Sequence, residues 1–208
     1  MRRFGWASLY FLSLGVAAYA VVAYALFPLG NLVHPDMRLS FLAHKAGIYT
    51  HIFASTVALA VGPFQFSTHL RQRYPAAHRW AGRAYLAVGV LVGGLSGLYV
   101  ATFAFGGLAA KIGFAALALM WLFTGTKAFL CIRRGAVAEH RRWMVRNFSL
   151  TLAAVTLRIY LPSSMVLGIP FDIAYPFIAW LCWVPNLLLA EWLFNGSSRA
   201  RAASVPSA

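Results

Sequence analysis

Hydrophobic residues in this chain fall into six long blocks, each separated from the next by a shorter connection that contains polar residues, glycine or proline. The blocks cover residues 4–29, 46–66, 84–105, 112–132, 148–167 and 173–194. At a helical rise of about 1.5 Å per residue, each block is long enough to cross a hydrocarbon core about 30 Å thick. A helix satisfies its own backbone hydrogen bonds in lipid, so the pattern predicts six transmembrane helices.

The composition supports the same fold class. Of 208 residues, 61% are hydrophobic and only 11% are charged, which is typical of a polytopic membrane protein. The polar connections are too short to form a separate soluble domain. We therefore predict an all-α membrane protein, a six-transmembrane-helix bundle in which residues 1–194 form a single domain and residues 195–208 a short flexible tail.

The net charge of +14 would suit nucleic-acid binding, but the positions of the charges argue against it. If the helices alternate in direction, thirteen arginines fall on one side of the membrane and three cations on the other. The thirteen are Arg2, Arg3, Arg71, Arg73, Arg79, Arg83, Arg133, Arg134, Arg141, Arg142, Arg146, Arg199 and Arg201; the three are Arg38, Lys45 and Lys111. This is the positive-inside pattern, and it predicts that both termini are cytoplasmic and that no nucleic acid binds.

The first block could be read as a signal peptide, because Ala-Tyr-Ala occurs at 18–20 and 23–25 after two arginines. Its apolar stretch is longer than a typical signal sequence requires, so we predict that it is retained as an anchor. The sequence leaves cleavage open.

Arg158 lies inside the fifth hydrophobic block. A guanidinium in hydrocarbon costs roughly 2.5–3.5 kcal/mol on insertion scales, so it requires a partner, a water-filled cavity or a bound anion. His51 lies about five residues inside the second block, on the order of 8 Å deep. We predict an intramembrane ligand pocket formed by His51, Arg158, Tyr160 and Asn186. The alternative for His51 is a structural imidazole hydrogen-bonded to Ser55.

Two similar cationic clusters precede the third and fifth blocks. The first reads His78-Arg79-Trp80-Ala81-Gly82-Arg83, and the second reads His140-Arg141-Arg142-Trp143-Met144-Val145-Arg146. Cations at a helix N-terminus are unfavourable because they oppose the helix dipole. An anion between the two clusters would compensate for this arrangement. We predict that the two clusters converge as one anion-binding rim of His78, Arg79, Arg83, His140, Arg141, Arg142 and Arg146. The alternative is that they are positive-inside charges and interfacial tryptophans.

The sixth block contains Pro176 and Pro185, which we expect to interrupt its helix, and Glu191 near its cytoplasmic end. An unpaired carboxylate there would be costly, so we predict a structural pair between Glu191 and either Arg83 or Arg146. Glycines at 89, 93 and 97 form a small-residue stripe for close packing. That packing joins either two helices of one chain or two protomers, so a homo-oligomer or a larger membrane complex stays open.

Several motifs in the same order resemble a bacterial family known only as predicted membrane proteins of unknown function. They are Gly62-Pro63-Phe64-Gln65-Phe66, the two His-Arg-Trp clusters, Thr156-Leu157-Arg158-Ile159-Tyr160-Leu161-Pro162, and Trp183-Val184-Pro185-Asn186 followed by Glu191-Trp192. The likeness runs from about residue 44 to residue 194. It implies a multi-pass protein of the bacterial inner membrane and carries no known activity.

A weaker likeness concerns the segment with Thr50-His51-Ile52-Phe53-Ala54, followed by His69 and the His78 cluster. It resembles part of the transmembrane dihaem cytochrome b ferric reductases, in which four histidines on four consecutive helices ligate two haems. This sequence departs from that pattern, because Gly47 stands where a ligand is expected and His140 follows His78 by two helices. The resemblance therefore implies at most one haem b, held by His78 and His140 with Arg79 or Arg141 near its propionates.

Other sequence features narrow the function further. Phosphate-binding Gly-Lys-Ser/Thr loops, His-Glu-x-x-His helices and serine nucleophile elbows are absent from the sequence, so ATP-driven transport and membrane hydrolysis lack support. The leading hypothesis is a non-enzymatic binding or accessory protein that engages a membrane lipid, a quinone, another lipophilic anion or a partner complex. The alternative is a one-haem electron-transfer or reductase subunit. Whether the protein is an enzyme stays open.

Overall fold

A computed structural model of the chain describes residues 2–195, with side chains from residue 5 to residue 193. Within this part the protein is all-helical, without a β-strand. Six helical stretches are long and apolar enough to cross a membrane, as predicted. These spans, numbered one to six in chain order, are Gly5–Leu26, Lys45–Gln65, Pro75–Ala101, Gly107–Arg133, Val137–Val166 and Phe171–Leu193. The predicted tail lies outside the described residues from 196 onward.

Several spans consist of more than one helix. The α-helices are α1 (Arg2–Leu26), α2 (Pro35–Ala43), α3 (Lys45–Gln65), α4 (Thr68–Arg73), α5 (Pro75–Ala84), α6 (Gly93–Ala101), α7 (Gly107–Arg133), α8 (Val137–Thr151), α9 (Ala153–Val166), α10 (Phe171–Leu181) and α11 (Val184–Ala190). Two π-helical segments, Tyr85–Val92 and Glu191–Asn195, continue α5 and α11. The third span therefore contains α5, a π-helix and α6, and the fifth contains α8 and α9.

The third and fifth spans begin earlier than the hydrophobic pattern indicated. They were expected at residues 84 and 148 and begin at Pro75 and Val137. The two His-Arg-Trp clusters therefore lie within the first turns of helices rather than before them. Hydropathy marks only the part of a helix that lies in lipid, whereas proline at the first helical position and the strong helix formers Ala, Arg and Glu extend the helix into the polar region.

The sixth span is interrupted at one of its two prolines. Pro176 lies inside α10, which continues to Leu181, so the expected break there is wrong. Helix α11 begins after Trp183 and has Pro185 in its first turn, where a proline leaves no intrahelical hydrogen bond unmade. Glu191 begins the final π-helical segment.

The glycine stripe packs inside this chain. A Cβ atom on Gly89 would lie 2.6 Å from that of Ala58, and one on Gly93 would lie 2.9 Å from the Ser55 hydroxyl. On Gly97 a Cβ would lie 3.0 Å from Cε1 of the His51 ring. All three contacts are with α3, so the stripe brings the second and third spans of this chain together.

Helix α2 lies outside the bundle core and covers one end of it. None of its residues is buried, and aromatic contacts hold its two flanking histidines. The His34 ring stacks on Phe171 and the His44 ring on Phe103, each at 3.9 Å between centroids. His44 Nδ1 is also hydrogen-bonded to the Tyr99 hydroxyl at 2.7 Å. Both ends of α2 are thus attached to later parts of the chain.

Candidate functional site

A cavity of about 320 Å³ lies in the centre of the bundle, and all six spans contribute to its lining. Residues of helix α2 and residues 103–105 contribute to its lining at one end of the bundle. Most of the lining is aliphatic or aromatic, so the cavity suits a lipophilic molecule. Its polar lining residues are Tyr24, Asp36, Ser40, His51, Ser55, Trp121, Thr151, Arg158 and Tyr175.

His51 lines the cavity from α3, and its ring is held by the third span. Its Nδ1 atom lies 2.9 Å from the carbonyl oxygen of Gly93 and 3.5 Å from the Ser55 hydroxyl. A carbonyl oxygen only accepts hydrogen bonds, so Nδ1 carries the hydrogen and donates to Gly93. The neutral ring then keeps its lone pair on Nε2. The hydrogen bond expected between His51 and Ser55 is long, so the bond to Gly93 is the stronger of the two.

Arg158 reaches the same cavity from α9. Its Nη1 donates to the carbonyl oxygen of Ala154 at 3.0 Å, one helical turn earlier. Its guanidinium carbon lies 5.6 Å from the centroid of the Tyr19 ring on α1, a cation–π contact. The Ala154 bond is the one hydrogen bond that the guanidinium makes within residues 5–193. A guanidinium has five N–H groups, so four are left for water or a ligand.

The structure brings together two of the four residues predicted to form the pocket. His51 and Arg158 line the same cavity. Tyr160 and Asn186 do not line it. Asn186 Nδ2 donates to the carbonyl of Cys182 at 2.9 Å and to the Thr156 hydroxyl at 3.2 Å, whereas Tyr160 packs against the hydrophobic core. Arg158 therefore bonds its own helix and not Asn186.

A buried polar network that was not predicted lies next to the cavity, and its members Trp121 and Thr151 are part of the cavity lining. The Tyr85 hydroxyl donates to Asn147 Oδ1 at 2.8 Å and lies 2.9 Å from the Thr151 hydroxyl. Trp121 Nε1 donates to Thr151 at 3.0 Å, and Asn147 Nδ2 donates to the Trp121 carbonyl at 2.7 Å and to Thr124 at 2.8 Å. The network links the third, fourth and fifth spans. The four-residue spacing of the polar side chains Asn147 and Thr151, at the start of an apolar stretch, was the sequence feature that could have predicted this network.

The two His-Arg-Trp clusters lie at the opposite end of the bundle from α2. His78 lies near the start of the third span and His140 near the start of the fifth, so both are at this end of the bundle. The Nδ1 atom of His140 lies 2.8 Å from the Ala128 carbonyl, whereas the buried Nδ1 of His78 has no partner among the described residues. No group of three or more metal-ligating side chains is found in residues 2–195.

The arginines of these clusters differ in their surroundings. Arg79, Arg83, Arg141 and Arg142 are exposed. The Arg83 guanidinium lies over the Trp80 ring at 4.7 Å. Arg146 stacks over the Trp143 ring at 4.4 Å and forms a two-pronged pair with Glu191: Nε donates to Oε1, and Nη2 donates to Oε2 at 3.1 Å. Of the two partners expected for Glu191, the structure therefore pairs it with Arg146.

Comparison with known proteins gives one match. A family model described as "Predicted membrane protein (DUF2306)" matches residues 48–194, which is most of the chain. No curated protein matches the sequence, and no solved structure matches it.

Proposed function

The chain belongs to the DUF2306 family of predicted membrane proteins, and we propose that it is a non-enzymatic binding or accessory protein whose central cavity holds a lipophilic ligand. The ligand is a lipid, a quinone or another lipophilic molecule with an oxygen-bearing or anionic head group. We assign the protein to the bacterial inner membrane, with both termini in the cytoplasm. In that orientation α2 and residues 103–105 lie at the outer end of the cavity.

The observation that carries this proposal is the position of His51 and Arg158 on the wall of one cavity. A guanidinium inside the membrane with one hydrogen bond to its own helix keeps much of its insertion cost. An oxygen from a ligand would offset that cost through charge-assisted hydrogen bonds. The mostly apolar walls would bury the rest of the ligand, as is usual for small-molecule sites.

Lipid analysis of purified protein tests the proposal. Wild type, Arg158→Met and Lys127→Met would be purified in detergent, extracted with organic solvent and analysed by mass spectrometry. Lys127 is the matched control, because it is a cation of the fourth span that lies near the Phe123 ring and does not line the cavity. We expect one lipophilic species to accompany wild type and Lys127→Met in stoichiometric amount and to be lost from Arg158→Met. Equal recovery from all three folded proteins would contradict the proposal.

The second candidate is a single-haem b electron-transfer or reductase subunit. It is favoured by the position of His78 and His140 at the same end of the bundle and by the bond between His140 Nδ1 and Ala128, which leaves Nε2 of His140 as the free ligand atom. Neither histidine lines the central cavity, which weakens this candidate. An absorption spectrum of protein made in haem-sufficient cells decides: a reducible Soret and α-band pair supports it, and a colourless preparation excludes it.

A further inference from the structure

The hydrogen-bonding character of the cavity indicates the kind of head group that fits it. His51 presents an acceptor, because its Nδ1 hydrogen is used by the Gly93 carbonyl. Arg158 presents only donors. A ligand that satisfies both must therefore donate a hydrogen to one and accept a hydrogen from the other.

Among the other polar lining groups, Trp121 Nε1 donates to the Thr151 hydroxyl, which itself donates to the Asn147 carbonyl at 3.1 Å. The Asp36 carboxylate is exposed and lies 3.5 Å from Nδ1 of His34. The remaining lining hydroxyls either donate or accept, so they do not discriminate between head groups; they belong to Tyr24, Ser40, Ser55 and Tyr175. His51 Nε2 and the remaining N–H groups of Arg158 are left to select the ligand.

We infer that the cavity selects a phenolic or hydroquinone head group over the corresponding quinone; this inference rests on the proposed binding function. A hydroquinone donates a hydrogen to His51 Nε2 and accepts hydrogens from Arg158. A quinone oxygen only accepts, so it would satisfy Arg158 but leave its lone pairs facing that of His51. The aromatic lining, which includes Phe41, Phe103, Phe105 and Phe114, suits the ring of that head group.

Titration with a matched pair of probes tests the inference. The probes are a short-chain ubiquinol and the corresponding ubiquinone, added to protein in lipid nanodiscs at pH 8 without oxygen. This pH lies above the ordinary pKa of histidine, about 6.5. We expect wild type to bind the quinol about tenfold more tightly than the quinone, since an unpaired buried acceptor costs on the order of one hydrogen bond.

Two variants separate the roles of the two residues. Asn at position 51 places an amide nitrogen near the position of Nδ1, so His51→Asn keeps a donor for Gly93 and removes the Nε2 acceptor. We expect His51→Asn to bind quinol and quinone within about twofold of each other, and Arg158→Met to bind both about tenfold more weakly. Thermal unfolding checks that each variant is folded. The comparison of the two probes in wild type needs no variant, so the test holds if a variant misfolds.

The outcomes distinguish this inference from the proposed function. Equal binding of quinol and quinone by wild type, with both weakened in Arg158→Met, would overturn the inference and leave the binding function supported. Failure of wild type to bind either probe would overturn the assigned ligand class. Wild-type binding that neither variant changes would overturn the inference and the proposed site together.

Discussion

The free-energy cost of placing the Arg158 guanidinium inside the membrane is offset only in part by its contacts within the protein. One of its N–H groups is hydrogen-bonded to Ala154, and its charge faces the Tyr19 ring. A cation–π contact supplies about 0.5–2 kcal/mol, less than the insertion cost of the guanidinium. The chain therefore retains at this position a residue that stability alone does not favour, as is common for ionisable residues inside membranes.

Asn147 is the residue on which the buried polar network depends most. It is fully buried and accepts from Tyr85 while donating to Trp121 and Thr124. Asn147→Leu keeps the approximate volume but leaves those partners unpaired, so we expect a loss of about 2 kcal/mol in unfolding free energy. Tyr85→Phe removes one hydroxyl and should cost about 1 kcal/mol. Unfolding in mixed micelles measures both, and an equal or smaller loss for Asn147→Leu would contradict this account.

The pair of Arg146 and Glu191 is partly exposed, with side chains 20% and 39% accessible. Partial exposure weakens ion pairs, whereas two-pronged geometry strengthens them. A double-mutant cycle with Arg146→Gln and Glu191→Gln should give a coupling free energy of about 1 kcal/mol in unfolding experiments. Arg146→Lys should recover less than half of it, since lysine has no fork. A coupling indistinguishable from zero would show that the pair does not stabilise the bundle.

At the level of elements, the contact between the second and third spans depends on glycine. The Cβ of Gly89→Ala would lie within 3 Å of both the side chain and the backbone of Ala58. The helices must therefore move apart, and we expect a loss of about 1–3 kcal/mol. Gly15→Ala is the control, because nothing lies within 4 Å of that position on α1; it should be neutral or slightly stabilising. Similar effects at the two positions would argue against the close packing.

Helix α2 should open more easily when its aromatic attachments are removed. None of its residues is fully buried, although Met37 packs on the Tyr175 cluster, and the two histidine–phenylalanine stacks hold the residues that flank it. A stacked aromatic pair supplies about 0.5–1.5 kcal/mol, which corresponds to roughly two- to tenfold in an opening equilibrium. We expect Phe103→Ala and Phe171→Ala each to accelerate amide hydrogen exchange in α2 by that factor. Leu39→Ala, a change on the exposed face of α2, should leave the exchange unchanged.

At the level of the whole molecule, the charge pattern predicts the orientation of the bundle. Single cysteines at Leu70, Ala136 and Ala203 should react only from the cytoplasm, and one at Leu108 should react from outside. Ala203 lies outside the described residues, and its labelling tests the C-terminus. The native Cys131 and Cys182 are buried. Both are replaced by alanine in the parent protein, so that only the introduced cysteine can be labelled. Labelling of position 136 from outside intact cells would refute the orientation.

Much of the architecture follows from the sequence alone. The blocks of hydrophobic residues determine the number of spans, because a bilayer demands about 20 apolar residues and internal backbone hydrogen bonds from each. The same demand makes Arg158 and His51 conspicuous in the sequence, because ionisable side chains are rare within membrane spans. The family was also predicted from short motifs, and the family model confirms it.

Only the tertiary structure decided which residues meet. Asn186 and Arg158 were both predicted to line one pocket, yet Asn186 bonds Cys182 and Thr156 whereas Arg158 bonds Ala154. Hydropathy reports the environment of each helix but not its rotation about its own axis, which the packing of its neighbours sets. The starts of the third and fifth spans and the network around Asn147 were missed for a related reason. Charged first turns and buried polar groups are stabilised by contacts between helices, and a linear pattern does not record those contacts.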